Sequence, residues 1–232
     1  MKPRIKQICT ALNRLKRSRG FGVHSPFAFH FITKVLKERL PYYAYSELDA
    51  KRTATLRAGK ASMPTKSMRL IFRVVNYFNP QMILQSASSC GLDTASALSV
   101  SSASQLLVFG IDGEQKRLFD MNTAEFSGRI NIANSAAKSI DDYKKYNNDL
   151  PFIIITDVAC DDIEILDNYL TASVIHADGV IIMLNINTNR NVAQLWNRTT
   201  EAMESGMAFS NWKTGIIVCS AKLPLQYYPL WF

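Results

Sequence analysis

The chain has 232 residues, 47% of them hydrophobic, enough to bury a proper core and long enough for one α/β domain with an extra terminal segment. Its formal charge of +8 is uneven: residues 1–73 carry 17 Lys and Arg against Glu38, Glu47 and Asp49, or +14, so the remainder carries 10 against 16, or −6. Apolar runs such as Val180–Leu184 are far shorter than the roughly 18 residues of a membrane span, and the basic start lacks the apolar stretch of about 7–15 residues that marks a secretory signal, so a cytoplasmic protein without a transmembrane segment is expected.

The basic N-terminal part suits nucleic acid, an anionic membrane surface or an acidic partner, and equally a solvated basic helix. Cys9, Cys90, Cys160 and Cys219 form no C-x-x-C pair, which fits neither a disulfide framework nor a zinc site. Buried small hydrophobes are their expected role. With only His24, His30 and His176, no histidine metal triad is in view.

Taken in order, Ile5, Ile8, Leu12 and Leu15 predict an amphipathic helix over residues 3–18 with a basic outer face. A mitochondrial presequence has the same character and stays open. Gly20–Phe29 is a cluster of turn and aromatic residues in which Ser25 is a candidate N-cap, Pro26 opens a helix to about Arg39, and Phe21, His24 and Phe27 form either a lid or a staple onto the core. From Tyr42 to about Pro64 the chain is polar and basic, with Arg52, Arg57 and Lys60, and reads as a mobile loop or a partly disordered one. Met68, Ile71, Phe72, Val75 and Phe78 predict a strong helix over 65–78, stopped by Asn79-Pro80.

The centre of the chain is Gln81–Ser96: a buried strand Met82–Leu84, a small-residue turn from Ser86 to Gly91, and a helix from Thr94 to Val100. In a doubly wound α/β fold such a turn holds a nucleotide-like ligand, since small residues let the backbone approach and the helix start offers free N–H groups. A second strand, Leu106–Ile111, ends at Asp112, placed to accept hydrogen bonds from a ribose diol. Helices over 114–126, 136–146, 163–173 and 187–204 then alternate with strands over 129–133, 151–156 and 179–184. Strands over 207–212 and 215–219, separated only by Lys213-Thr214, suit a hairpin. The resulting expectation is an α/β, Rossmann-like, seven-stranded mostly parallel sheet with a C-terminal antiparallel hairpin and an N-terminal helical extension. Residues 1–64 form the extension and 65–232 the Rossmann-like domain. The aromatic tail Leu223–Phe232 covers a sheet edge or makes a subunit contact, which would give a homodimer.

This layout, together with Gly22–Phe27, Arg69–Phe78 and Ile83–Ala95, resembles a bacterial family of class I S-adenosylmethionine-dependent methyltransferase-like proteins related to small-molecule O-methyltransferases. The resemblance implies S-adenosylmethionine as cofactor, a small-molecule substrate, and a cofactor site at Gln85, Ala87, Ser89, Gly91, Asp112 and Gly113. It also implies an acid at the end of the first strand and a turn of the form E-x-G-x-x-x-G, where this chain has Gln85 and Ala87 and matches only at Gly91. An amide in place of that carboxylate removes a charge-assisted hydrogen bond worth roughly 1.5–3 kcal/mol. Asp157, at the end of the fourth strand, is the candidate catalytic base. Metal-dependent relatives place two acids, or Asp-Asn, at the end of strand five. Leu184-Asn185 stands there instead, which argues against a divalent metal. Asp161-Asp162 are either substitute ligands or a helix cap. Two functions follow: an active methyltransferase with a degenerate cofactor motif, or an inactive methyltransferase-fold scaffold whose basic N-terminal part holds nucleic acid or an acidic partner.

Overall fold

The computed structural model describes residues 22–59, 63–87, 90–111, 113–146 and 150–232. The basic helix expected over residues 3–18 lies outside them, as do Phe21, Ser89 and Asp112. Among the described residues, no helix is long and apolar enough to cross a membrane.

Eight strands form one sheet in the order β3-β2-β1-β4-β5-β7-β6-β8. They are β1 Met82–Ser86, β2 Gln105–Phe109, β3 Ile130–Ala133, β4 Phe152–Ile155, β5 Gly179–Leu184, β6 Met207–Ser210, β7 Thr214–Cys219 and β8 Gln226–Pro229. The first five are parallel, while β7 runs antiparallel to both β5 and β6. Near-continuous apolar sequences such as Phe152–Ile155 and Gly179–Leu184 are buried along their whole length, as parallel strands covered on both faces must be. The hairpin turns at Asn211, whose side-chain oxygen accepts from the backbone N–H of Lys213 and Thr214 at 3.1 and 2.8 Å.

The expected seven strands are eight. The tail adds β8, in parallel register with β6 from Met207↔Gln226 to Ser210↔Pro229. Pro224 and Pro229 broke the alternation by which a strand is recognised, yet proline is tolerated on an edge strand because its missing N–H faces outward. The tail therefore covers the sheet edge, the first of its two expected roles.

Helices α1 Pro26–Phe31, α2 Ala44–Arg57, α3 Thr65–Phe78, α4 Leu92–Leu98 and α5 Gly113–Thr123 share one side of the core, and α6 Ala136–Tyr146, α7 Ile163–Ala172 and α8 Arg190–Ala202 the other. Alternate residues of β1 divide between them, Ile83 on the first side and Leu84 on the second. Ser25 caps α1 through its hydroxyl, as expected, but the helix ends at Leu36 after a π-helical turn Ile32–Leu36. There the Arg73 guanidinium donates to the carbonyls of Val35 and Leu36 at 2.6 and 3.0 Å and closes the helix early. Phe31 is fully buried against Phe209, with ring centroids 5.0 Å apart, and Phe27 stacks on Phe31. Phe27 is thus a staple, and His24 is exposed.

The expected loop or disordered segment after Tyr42 is instead the 14-residue helix α2. Few of its residues are apolar, so periodicity could not reveal it. It is fixed by tertiary contacts: buried Tyr45 and Leu48, an Arg69–Asp49 ion pair at 2.7 Å and a Lys51–Glu125 pair at 2.7 Å.

Candidate functional site

From β1 the chain passes through α4 to β2 on one side, while β4 lies on the other, so the sheet order reverses between β1 and β4. In open α/β sheets a crevice forms at that reversal, outside the carboxyl ends of the strands. The structure gathers Gln85, Ala87, Gly91, Gly113 and Asp157 at this end of the sheet: Gln85 near the end of β1, Ala87 and Asp157 just past β1 and β4, Gly91 at the N-cap of α4 and Gly113 at the first residue of α5. Ser89 and Asp112 lie outside the described residues.

The β1–α4 turn is stitched to both neighbouring strands. The Ala87 N–H donates to the Phe109 carbonyl at 2.8 Å, the Thr156 N–H to the Ser86 carbonyl at 3.1 Å, and the Ser86 hydroxyl to the Asp157 carbonyl. Ala87, Cys90 and Gly91 all have left-handed backbones, with φ of +54°, +56° and +81°. Each non-glycine residue in that region costs about 1–3 kcal/mol, which the surroundings must over-determine.

Gln85 does much of that work. It is fully buried; its amide N–H donates to the Ala87 carbonyl at 2.9 Å, and its amide oxygen accepts from the Thr94 hydroxyl at 2.9 Å. A glutamate there has no proton to give the Ala87 carbonyl, so the amide is the residue that can brace both sides. Asp93, also fully buried, accepts from the Thr156 hydroxyl at 2.7 Å and from the Thr94 N–H at 3.0 Å, tying α4 to the end of β4. Sequence reasoning passed over Asp93, although a carboxylate amid Leu92–Leu98 was the available signal.

Gly91 is a packing residue. A Cβ there would lie 3.0 Å from the Phe119 carbonyl and 3.0 Å from the Thr123 methyl, so α5 closes against the turn. Asn122, next to Thr123 and buried, donates to the Cys90 carbonyl at 2.8 Å and to the Thr55 hydroxyl at 2.9 Å, which joins α2 to the same cluster. Gly113 faces open space. Gly110, not singled out in the sequence, has φ +74° and lies against Ala87.

At the ends of β4 and β5, Asp157 is exposed and one of its carboxylate oxygens accepts from the Val158 N–H at 2.7 Å and from the Asn189 amide. Asn189 also caps α8, and Asn191 donates to the Val158 carbonyl at 2.8 Å. Asn185, left-handed at φ +61°, donates to the Thr156 carbonyl at 3.2 Å, while Leu184 is buried. Asp157 therefore stands among asparagines. Among the described residues no three His, Cys, Asp or Glu side chains converge. Asp162 occupies the N-cap position of α7 without a side-chain capping bond, so that expected cap is not made.

No protein-family profile and no curated protein matches the sequence. Solved structures do match. The S-adenosylhomocysteine-bound methyltransferase PaMTH1 of Podospora anserina superposes with a TM-score of 0.54 at 12% identity, over 86% of this chain and 98% of that one. A methyltransferase from Geobacter sulfurreducens gives 0.54 at 10% identity, over 82% and 97%. The O-methyltransferase TomG of Streptomyces achromogenes, solved with S-adenosylmethionine, gives 0.52 at 11% identity, over 82% and 95%. The chain has the class I methyltransferase fold, with an eighth strand added at the sheet edge.

Proposed function

We propose that this protein binds S-adenosylmethionine at the β1–α4 turn and directs its methyl group to a small-molecule nucleophile without a bound divalent metal. The observation that carries the reading is the left-handed turn at Ala87, Cys90 and Gly91, held at the strand reversal where ligands of this fold class sit. Such a backbone is kept at a cost in strain, and strain concentrates where function requires it. The residues fit an adenosyl group in part: the turn and Gly113 leave backbone for it to approach, and Asp112 in the sequence suits its ribose. The Gln85 amide gives one donated and one accepted bond to bracing the turn and brings no charge to an ammonium. Binding is therefore expected to rest on the turn and Asp112.

S-adenosylmethionine, when bound, supplies an activated methyl group on a sulfonium. Methyl transfer depends chiefly on holding the reactants in line. Asp157, oriented by Asn189 and the Val158 N–H, is the group we assign to accept a proton from the nucleophile. Leu184-Asn185 in place of acids supports the metal-free reading.

The uncharged Gln85, bonded within the turn, also favours a second reading, a scaffold that no longer takes the cofactor and works through the basic N-terminal residues on nucleic acid or an acidic partner. Thermal unfolding with and without millimolar S-adenosylmethionine separates the two. The first reading predicts a raised midpoint that Asp112→Ala abolishes. A well-folded protein with no shift rejects it, and nucleic-acid affinity that falls steeply with salt then supports the second.

A further inference from the structure

Beside the switch point, on the same edge of the sheet, lies a cavity of about 620 Å³ between the end of the π-helical turn, the first half of α3, the β6–β7 hairpin and the C-terminal tail. Thr214, in its wall, pairs with Leu184, and Met183 pairs with Ile155. The cavity thus begins two strand spacings, roughly 10 Å, from the end of β4 that carries Asp157.

The polar lining is strongly cationic. Arg39, Lys66, Arg69 and Arg73 face it, against Glu38, whose carboxylate accepts from the Tyr42 hydroxyl at 2.6 Å. Tyr45 and Trp231 supply flat apolar wall. Two of the lining residues also carry buried polar atoms: the Arg69 Nε has no hydrogen-bond partner, and the Tyr45 hydroxyl, on a residue only 7% exposed, lies beside the Arg73 guanidinium. Arg69 gives one terminal nitrogen to Asp49 and stacks on the Tyr45 ring at 4.7 Å, so Arg69, Tyr45 and Arg73 form one unit. A buried unsatisfied donor is destabilising and rare, while the rest of the Arg69 side chain keeps 40% of its surface exposed.

We infer that this cavity binds an anionic small molecule, a carboxylate or phosphate attached to an apolar or aromatic body, with the guanidinium of Arg69 and the Lys66 ammonium taking the oxyanion and Tyr45 and Trp231 flanking the body. A guanidinium fork matches either oxyanion, and the volume is that of a small-molecule site. With its wall two strand spacings from the end of β4, we assign this molecule as the methyl acceptor, reaching from the cavity towards Asp157. That last assignment rests on the methyltransferase reading; the binding itself does not.

The test is calorimetric titration of the full chain with phenyl phosphate, benzoate and neutral benzyl alcohol, with no adenosyl compound present. At least one of the two anions should bind, and more tightly than benzyl alcohol by roughly ten-fold or more. Arg69→Gln should weaken the anion by about ten-fold or more, with circular dichroism checking the fold. Because Arg69 also holds Asp49, the exposed pair Lys66→Gln with Arg39→Gln carries the test independently, with an expected loss of about three-fold or more and no change in fold. No binding by either anion, equal binding of benzyl alcohol, or anion binding untouched by the Lys66 and Arg39 changes overturns the inference. Failure of S-adenosylmethionine to bind leaves it standing as an anion site.

Discussion

The β1–α4 turn and the cationic cavity lie along one edge of the sheet and are built in opposite ways. In the turn, the side chains of Gln85, Asp93, Thr94, Asn122 and Thr156 hold one another or the backbone, and Gly91 is packed against α5. In the cavity, Arg69 and Arg73 are held by Asp49 and by the carbonyls of Val35 and Leu36, but Lys66 and Arg39 are exposed and the Arg69 Nε has no partner. The difference teaches that divergence at a motif need not collapse the backbone: Gln85 and Ala87 are odd against the expected pattern, yet the amide supplies the brace that keeps Ala87 left-handed. The exposed cations Lys66 and Arg39 stand where a second ligand enters.

Substitutions in the turn should therefore be destabilising, and those of the exposed cavity cations Lys66 and Arg39 nearly silent for stability. The largest effect is expected at Gly91→Ala, which adds a methyl against the Phe119 carbonyl in a left-handed backbone and should remove about 2–4 kcal/mol in urea unfolding. Asp93→Ala strands the buried Thr156 hydroxyl and should remove about 2–3 kcal/mol. Gln85→Leu leaves the Ala87 carbonyl and Thr94 hydroxyl without their partner and should remove about 1–3 kcal/mol. Lys66→Gln, exposed in the cavity wall, should stay within about 0.5 kcal/mol of the parent. A Gln85→Leu protein as stable as the parent would break the comparison, because the amide would then not be a brace.

The smallest effect separates the core from the strand-end surface by chemistry. Burial, with a lesser contribution from Asp178, pushes the Cys219 thiol up from its usual value to about 12, whereas Cys160 is exposed beside Asn191. Since the thiolate is the reactive form, iodoacetamide at pH 8, well below that value, should label Cys160 and leave Cys219 unmodified by mass spectrometry of the folded protein. The raised value favours the neutral thiol in the folded state. That contribution to stability is present below the ordinary thiol range and is lost as pH climbs from there towards about 12.

Much of the sheet was legible in the sequence because its strands are short, apolar and bounded by turn residues: Gly179–Leu184 and the helices Thr65–Phe78 and Ala136–Tyr146 fall where periodicity put them. Helix α2 was not, because Arg69, Glu125 and the buried faces of Tyr45 and Leu48 hold it from outside its own sequence. Strand β8 was hidden by Pro224 just before it and Pro229 at its end. At the candidate site, the turn from Ser86 to Gly91 was legible from its small residues after a strand, whereas Gln85, Ala87 and Asp157 were singled out by the family resemblance. Their structural roles were not legible. That Gln85 braces a carbonyl, that Gly91 makes room for α5 and that Asp157 stands among asparagines from α8 are tertiary facts carried by residues 28 or more positions distant, or by a side chain folding back on its own turn. The cavity is illegible for the same reason, since its walls come from residues 36–73 and 211–232.

The central claim is that the braced turn still accepts an adenosyl ligand. Calorimetric titration of S-adenosylhomocysteine into the intact protein tests it most directly. The account predicts saturable binding at one site per chain, eliminated by Asp112→Ala, and a stability gain of about 2.7 kcal/mol when free ligand reaches ~100 times Kd. An absence of heat and of any stability gain in a cooperatively folded protein would contradict it and leave the chain a methyltransferase fold put to another use.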